Sequence, residues 1–246
     1  MNKDQIYADP LGHIQDFRFD STVVDVFPDM IQRSVPGYQT IIQTIGKLTA
    51  RYQQPDSRYY DLGCSLGAAT LSMRRNIRAS GCEVIGVDNS EAMVARCQSH
   101  LQAFRSDVPA RAELGDIRQV QMDNAAMVVS NFTLQFLPPE DRDLLVQRIY
   151  QALKPGGIFV LSEKIVEADT TTHDLLIDLH HDFKRANGYS ELEISQKRTA
   201  LENVMRPDSK SQHQARLEAA GFSHISVWFQ CFNFCSLVAI KQGAAA

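Results

Sequence analysis

From residue 58 onward, short apolar runs alternate with longer segments that place apolar residues at helical spacing. The apolar runs are rich in β-branched residues, as buried strands are, whereas the longer segments are typical of amphipathic helices. The runs begin near residues 58, 82, 111, 125 and 156. Strands that alternate with helices favour an α/β fold with a parallel, doubly wound sheet.

The C-terminal part has a different pattern. Residues 224–231 and 234–242 are strand-like runs joined only by Phe232 and Asn233. This joint is too short for a helical crossover, so the two strands should pair antiparallel. We therefore predict a Rossmann-like, mostly parallel sheet of seven strands with an antiparallel last strand.

Two segments carry helical patterns without a clear strand. They are residues 1–57, which precede the sheet, and residues 170–220, which lie between the fifth and sixth predicted strands. We expect a single α/β domain over residues 1–246. In it, residues 1–57 form a helical N-terminal cap, and residues 170–220 form a helical insertion that also covers the site.

Composition excludes several classes of protein. The net charge of −4 argues against tight, unaided binding of nucleic acid. No apolar stretch is long enough to span a membrane, and the N-terminus lacks an apolar signal core, so we expect a cytoplasmic protein. Five cysteines are an odd number in a long chain, which argues against a disulfide framework.

A metal site is a further possibility. Asp174, Asp178 and His181 share one face of a predicted helix, and carboxylate and imidazole groups are both metal ligands. A solvated polar helix face has the same spacing. We predict that the protein holds no metal.

Residues 61–67, DLGCSLG, fit two patterns with different chemistry. The first is the G-x-S-x-G elbow of serine hydrolases, in which Ser65 would be the nucleophile. Such an elbow follows several strands, whereas the residues before it here are helical in pattern. No later histidine lies in an obvious loop after a late strand, so the hydrolase hypothesis is weak.

The second pattern is a loop that cradles a nucleoside cofactor. Gly63 ends a strand, Ser65 is small enough for close approach, and Gly67 opens a helix with an electropositive N-terminus. Asp88 ends the second strand, from where a carboxylate reaches a ribose.

Two further polar residues end strands. Asp116 follows the third strand and Asn131 the fourth, so both should lie at the carboxyl edge, where such sheets bind ligands. Asp116 also fits a helix cap, and Asn131 also fits a turn.

This set resembles the class I S-adenosylmethionine-dependent methyltransferases, which share the antiparallel final strand. The resemblance implies which residues of this sequence contact each part of S-adenosylmethionine. The methionine part falls on Gly63, Cys64, Ser65 and Asn131, the ribose on Asp88 and Asn89, and the adenine on Asp116 and Ile117.

Longer segments narrow the resemblance. The chain is similar to the carboxy-S-adenosyl-L-methionine synthase family from about residue 5 to 241. The segments that carry the resemblance are DPLGHIQDFRFD, GCSLGAAT, SNFTLQFLPP, SQKRTALENVM and WFQCFNF. The resemblance implies a homodimer that converts S-adenosylmethionine and prephenate to carboxy-S-adenosylmethionine, phenylpyruvate and water. A second enzyme, a tRNA carboxymethyltransferase, would then use the product to modify wobble uridine.

The same resemblance implies two more ligand contacts. Arg198 would bind the transferred carboxylate, a task that suits a bidentate cation, and Tyr38 would also contact the ligand. Without the resemblance, Arg198 fits a solvated helix charge and Tyr38 a packed aromatic. Arg18 is a candidate partner for a carboxylate of prephenate.

Other hypotheses stay open at this stage. One is a conventional methyltransferase acting on a small molecule or tRNA, and another is a non-catalytic module that binds S-adenosylmethionine. The chain has Asn131-Phe132-Thr133-Leu134 where amino-methylating enzymes often have N-P-P-[FY]. This difference argues against methylation of an amide or a base, but not against methylation of a small molecule. A dimer interface is expected at the apolar helix around Val23, Val24, Val26 and Phe27. The same residues would fit equally well against the chain's own sheet.

Overall fold

The computed structural model describes residues 2–243, and its centre is a sheet in the order β3-β2-β1-β4-β5-β8-β7. The strands are β1 Arg58–Leu62, β2 Glu83–Asp88, β3 Ala110–Leu114, β4 Ala125–Asn131, β5 Leu153–Val166, β6 Asp208–Ser209, β7 His224–Cys231 and β8 Phe234–Ile240. The helices are α1 Ser21–Ser34, α2 Tyr38–Tyr52, α3 Ala68–Asn76, α4 Glu91–Ala103, α5 Pro139–Ala152, α6 Thr170–Ala186, α7 Glu191–Glu202 and α8 Lys210–Ala220.

The sheet confirms the predicted topology. Strands β1 to β5 pair in parallel, whereas β8 pairs antiparallel with both β5 and β7. Phe232 in the β7–β8 connection has a left-handed φ of 50°, which lets two residues reverse the chain.

One strand was not predicted. The two-residue strand β6 pairs with the end of β5 through Ile165 and Asp208, which makes eight strands in the described residues. Asp208 is held there by Arg142 and Arg216, at 2.8 and 2.9 Å. So short a polar strand has no hydrophobic periodicity to reveal it.

Helices cover both faces of the sheet. On one face, α2 and α3 pack on the sheet around Ile41, Ile45 and Met73. On the other face, Val146 of α5 and Leu217 of α8 belong to the larger core cluster. Continuous apolar strands such as β4 are buried on both faces, which is why they lack alternation.

Helices α1, α6 and α7 lie over the carboxyl edge of the sheet, whereas α4 packs beside β2 and β3. Residues of α1, α6 and α7 line a cavity there, whereas α8 packs against α5 instead. The N-terminal segment joins α7 through a backbone hydrogen bond of 2.9 Å from Phe17 to Ala200. The division into cap, insertion and single domain stays a prediction.

The apolar side of α1 is used within the chain. Val23, Val24 and Phe27 are buried in a cluster with Leu66 and Met93, so they do not form an exposed interface in the monomer. Across residues 2–243, helices long and apolar enough for a bilayer crossing are absent.

Candidate active site

A cavity lies at the carboxyl edge of β1, β4 and β5, beneath α1, α6 and α7. It contains about 1150 Å³ of empty space, part of which is open to solvent. Five of the predicted ligand residues line it: Tyr38, Gly63, Cys64, Ser65 and Asn131. The cavity therefore includes the loop that the sequence singled out.

The loop after β1 is held by β2. The N–H groups of Gly63 and Cys64 both donate to the carbonyl of Val87, at 2.8 and 3.0 Å. Gly63 has a left-handed φ of 80°, and a Cβ there would lie 2.2 Å from the Thr133 hydroxyl. A larger residue at position 63 would thus disturb both the loop and the cavity wall.

Ser65 acts through its backbone. Its N–H donates to Oδ2 of Asp88 at 2.9 Å, and its φ is 47°. In the described residues, no histidine ring hydrogen-bonds to the Ser65 hydroxyl; His100, for example, contacts the Leu66 carbonyl and His180 the Ser34 carbonyl. Within residues 2–243, Ser65 therefore has no general base that would make it a nucleophile.

Asp88 ends β2 beside this loop and is 8% exposed. Its second oxygen, Oδ1, accepts from the Ser90 N–H at 2.9 Å. Burial raises the pKa of Asp88, and the hydrogen bonds from Ser90, Ser65 and Asn89 oppose that rise. Asn89 is exposed, and neither Asp88 nor Asn89 lines the cavity itself.

Asp116 follows β3 and is paired with a cation. The Arg118 guanidinium donates to both of its carboxylate oxygens, at distances of 2.6 to 3.0 Å. Those hydrogen bonds lower the pKa of Asp116. Ile117 is buried in the main core cluster, and both residues lie outside the cavity lining.

Two buried polar atoms at the cavity wall have no hydrogen-bond partner in residues 2–243: Oδ1 of Asp61 and Oδ1 of Asn131. Burial raises the pKa of Asp61 to about 6, while a 2.6 Å hydrogen bond from Thr70 favours its ionised form. Buried acceptors normally have partners. The ammonium of a bound amino acid would supply donors to both atoms, so these residues fit the methionine part of S-adenosylmethionine.

Tyr38 lies beside this acidic end of the cavity. Burial raises the pKa of its hydroxyl above the usual range, and the Asp61 carboxylate raises it further. Tyr38 therefore stays protonated and is available as a hydrogen-bond donor.

Three lysines line the opposite part of the cavity, and we refer to Lys164, Lys184 and Lys197 as the lysine cluster. Burial is the main cause of the lowered pKa of each one, to about 8, about 7 and about 8 respectively. Repulsion from Lys197 and Lys164 also lowers the pKa of Lys184. The sequence interpretation missed this cluster.

Arg198 follows Lys197 on α7, but its side chain is exposed and does not line the cavity. It is close enough to lower the pKa of Lys164 and of His181. Arg18 is exposed as well.

Glu163, at the end of β5, holds the segment that follows Asn131. Its buried carboxylate accepts from the N–H groups of Thr133, Leu134 and Gln135, at 3.2, 2.8 and 2.9 Å. Burial raises the pKa of Glu163 to about 8, although these three donors favour its ionised form. This carboxylate fixes one wall of the cavity.

Aromatic rings form another wall. Phe19 contacts Phe17, Phe27 and Phe136 edge-to-face, at centroid distances of 5.0 to 6.2 Å. All four rings line the cavity. This wall offers an apolar surface to a ligand and excludes water.

Two polar residues of α6 have partners within the chain. His180 contacts the Ser34 carbonyl at 2.8 Å, and Asp182 pairs with Arg185 at 2.7 Å. Over the described part of the chain, no group of three His, Cys, Asp or Glu side chains is arranged to hold a metal.

Comparison with known proteins identifies the fold and the family. A family model described as a methyltransferase domain matches residues 60–157. Magnesium protoporphyrin IX methyltransferase from Synechocystis PCC 6803, solved with bound SAH, superposes with a TM-score of 0.61 at 16% identity. The match covers 97% of this chain and 92% of that one, and it shows the shared fold.

Relatives found by sequence have a much higher identity to this chain than that solved structure has. The carboxy-S-adenosyl-L-methionine synthase of Vibrio vulnificus (strain YJ016) is 62% identical over 240 residues, which cover 98% of both chains. The protein of that name from Photobacterium profundum is 62% identical over 239 residues, 97% of this chain and 98% of that one. With 62% identity over 98% of its length, the chain belongs to the carboxy-S-adenosyl-L-methionine synthase family.

Proposed function

We propose that this protein converts S-adenosylmethionine and prephenate to carboxy-S-adenosylmethionine, phenylpyruvate and water. The observation that carries the proposal is the 62% identity to synthases of that name over 98% of the chain. The cavity supports it, because an acidic end suited to methionine adjoins a basic part suited to an acidic second substrate. No observation favours a conventional methyltransferase over this function.

S-adenosylmethionine would bind along the carboxyl edge of the sheet. Asp61 and Asn131 accept from the methionine ammonium, and the backbone of Gly63, Cys64 and Ser65 approaches the methionine part. Asp88 and Asn89 would bind the ribose at the end of β2, and Asp116 with Ile117 the adenine after β3. Because Asp116 already pairs with Arg118, the adenine would use its remaining acceptor capacity.

The proposed chemistry needs no nucleophilic side chain. Prephenate loses carbon dioxide and hydroxide as its ring becomes aromatic, and the hydroxide takes a proton from the sulfonium methyl to form water. The resulting carbanion attacks carbon dioxide, so the new C–C bond forms beside the sulfonium. The protein would hold both reactants together in the cavity, and the aromatic wall would keep water from the reacting atoms.

Arg198 is proposed to bind the new carboxylate. It adjoins the cavity wall near Lys164 and has no ion pair in residues 2–243, so its guanidinium is available. Tyr38 would donate a hydrogen bond nearby. Arg18 stays a candidate for a prephenate carboxylate; like Arg198 it is exposed and outside the lining, although its neighbours Phe17 and Phe19 line the cavity.

The cellular setting is also a proposal. We propose a cytoplasmic homodimer that passes its product to a tRNA carboxymethyltransferase for wobble uridine modification, without binding nucleic acid itself. The residues expected at a dimer interface, Val23, Val24 and Phe27, are buried within the chain. Leu175 and Leu179, one turn apart on α6, are exposed apolar side chains that a second copy would cover in a dimer.

Purified protein mixed with S-adenosylmethionine and prephenate tests the proposal. We expect mass spectrometry to detect carboxy-S-adenosylmethionine and phenylpyruvate in equal amounts, and neither product when prephenate is left out. The small molecule released on denaturing the freshly purified protein should be the same carboxylated species. Methyl transfer to an acceptor, with no prephenate dependence, would support the conventional methyltransferase instead.

Asp88→Ala should weaken S-adenosylmethionine binding by about 1–3 kcal/mol, the cost of leaving ribose hydroxyls and the Ser65 N–H without an acceptor. Isothermal titration calorimetry measures the change directly. Asp107→Ala is a matched control, because Asp107 is exposed on the distant α4–β3 connection. Equal affinities for the two variants would remove Asp88 from the ribose site.

A further inference from the structure

The lysine cluster brings together side chains from β5, α6 and α7 near the C-terminal end of α1. Nζ of Lys197 lies 3.3 Å from the Ser34 hydroxyl, and Nε2 of His180 lies 2.8 Å from the Ser34 carbonyl. Lys184 follows His180 by one turn of α6. Lys164 is the β5 partner of Phe234, whose ring is 4.8 Å from the His180 ring.

In the described part of the chain, only one of these lysines has a counter-ion. Nζ of Lys197 lies 3.5 Å from Oδ2 of Asp4, which is itself buried and accepts from the Tyr189 hydroxyl. Within residues 2–243, the ammonium groups of Lys164 and Lys184 form neither an ion pair nor a hydrogen bond, although Lys184 is only 8% exposed. Lys164 is half-buried. A largely buried lysine without a partner is rare, because a buried charge is costly.

Among residues 2–243, the surroundings of these two ammonium groups supply no negative charge. His180 is close enough for both lysines to lower its pKa, which burial brings to about 2, so the ring is neutral and cannot offset their repulsion. The other charged side chains that affect them, Lys197 beside Lys184 and Arg198 beside Lys164, are also positive. When both lysines are protonated, two positive charges without a counter-ion face the cavity, and a bound anion would favour that protonated state.

An apolar surface adjoins these charges. The rings of Phe132 and Phe234 contact each other at 5.8 Å, and both line the cavity. Lys164 lies on β5, two strands from β1, so it is about 10 Å from the loop that would hold S-adenosylmethionine, given the usual strand spacing. The basic part is thus a second subsite, beside the first.

We propose that Lys164 and Lys184 bind the two carboxylates of a dicarboxylic acid whose apolar ring lies against Phe132 and Phe234. Two uncompensated ammonium groups match two carboxylates, and charge-assisted hydrogen bonds to both would fix the orientation of the acid. The identification of this acid as prephenate rests on the proposed function. Lys197 is not assigned a carboxylate, because Asp4 already pairs with it.

Steady-state rates with saturating S-adenosylmethionine test the assignment. In Lys164→Met and Lys184→Met, the KM for prephenate should rise about 10- to 100-fold, as expected for a lost hydrogen bond to a charged group. The Kd for S-adenosylmethionine should change less than about twofold, since neither lysine faces the methionine end. Lys47→Met, an exposed lysine on α2, is the matched control and should behave as the natural protein. A KM change below about threefold in both cavity variants would overturn the proposal, because a lost charged hydrogen bond costs more than that.

Thermal unfolding separates this proposal from the reaction itself. Without ligand, both cavity variants should have a Tm equal to or above that of the natural protein, because each loses a buried, uncompensated charge. A clearly lower Tm in both would show a structural role and would contradict the subsite.

Ligand-induced shifts in Tm complete the test. Prephenate should raise the Tm of the natural protein and of Lys47→Met, but not of Lys184→Met, even if no carboxylated product forms. That result with no turnover would reject the proposed reaction and keep the subsite. Turnover with an unaltered KM for prephenate in both lysine variants would support the reaction and reject the subsite. If inorganic phosphate at equal concentration shifts the Tm as much as prephenate does, the site is a general anion site and the dicarboxylate assignment fails.

Discussion

Arg198→Ala should lower the rate of carboxy-S-adenosylmethionine formation about 30-fold to several thousand-fold, while S-adenosylmethionine binds with nearly unchanged affinity. The physical reason is the loss of a charged hydrogen-bonding partner for the new carboxylate, which is worth about 2–5 kcal/mol when the pair is shielded from water. The carboxylate exists only late in the reaction, so substrate binding should hardly respond. Product formation followed by mass spectrometry, beside calorimetric titration of S-adenosylmethionine, measures both quantities.

The controls address the exposed position of Arg198. Arg198→Lys keeps the charge but loses bidentate geometry, so its rate should lie between those of the natural protein and Arg198→Ala. Arg51→Ala removes another exposed arginine, near the end of α2, and should leave the rate unchanged. Unaltered product formation by Arg198→Ala would show that this guanidinium is a solvated helix charge and that another group binds the carboxylate.

Glu163→Ala should lower the free energy of unfolding by about 3–5 kcal/mol, because it leaves three buried N–H groups without an acceptor. Those donors belong to Thr133, Leu134 and Gln135, and the Glu163 side chain is fully buried. Since the same segment follows Asn131, the variant should also bind S-adenosylmethionine less well. Urea unfolding followed by circular dichroism measures the loss of stability.

Two further variants make this prediction specific. Glu163→Gln keeps one acceptor oxygen and should lose less than half as much stability as Glu163→Ala. Glu202→Ala removes an exposed carboxylate at the end of α7 and should be nearly neutral. If Glu163→Ala loses less than about 1 kcal/mol, water must replace the carboxylate and the wall is not held as described.

Several features of the site follow from local sequence. The loop DLGCSLG with a polar residue at the end of each following strand predicts a ligand edge, since the carboxyl ends of parallel strands meet there. Tyr38, Gly63, Cys64, Ser65 and Asn131 do line the cavity. Their contacts with a ligand stay predictions, as do those of Asp88, Asn89, Asp116 and Ile117, which lie on the same edge outside the lining.

Other features were invisible to sequence reasoning. Asp61 was part of the quoted loop pattern, yet only the fold leaves its Oδ1 buried without a partner in the described residues. Lys197 and Arg198 are neighbours on one helix, but the structure buries the first and exposes the second. A lysine in a helical segment normally indicates a solvated face, so the sequence gives no sign that Lys184 is buried.

By itself, the sequence determined the alternation of strands and helices, the antiparallel hairpin and the cofactor loop. These depend on residues close together in the chain, through hydrophobic periodicity and turn length. The tertiary structure alone decided which charges face the cavity. Lys164, Lys184 and Lys197 come from β5, α6 and α7, and their convergence depends on how α1 packs across those elements. Burial and charge balance are sums over such distant contacts, and no local pattern encodes them.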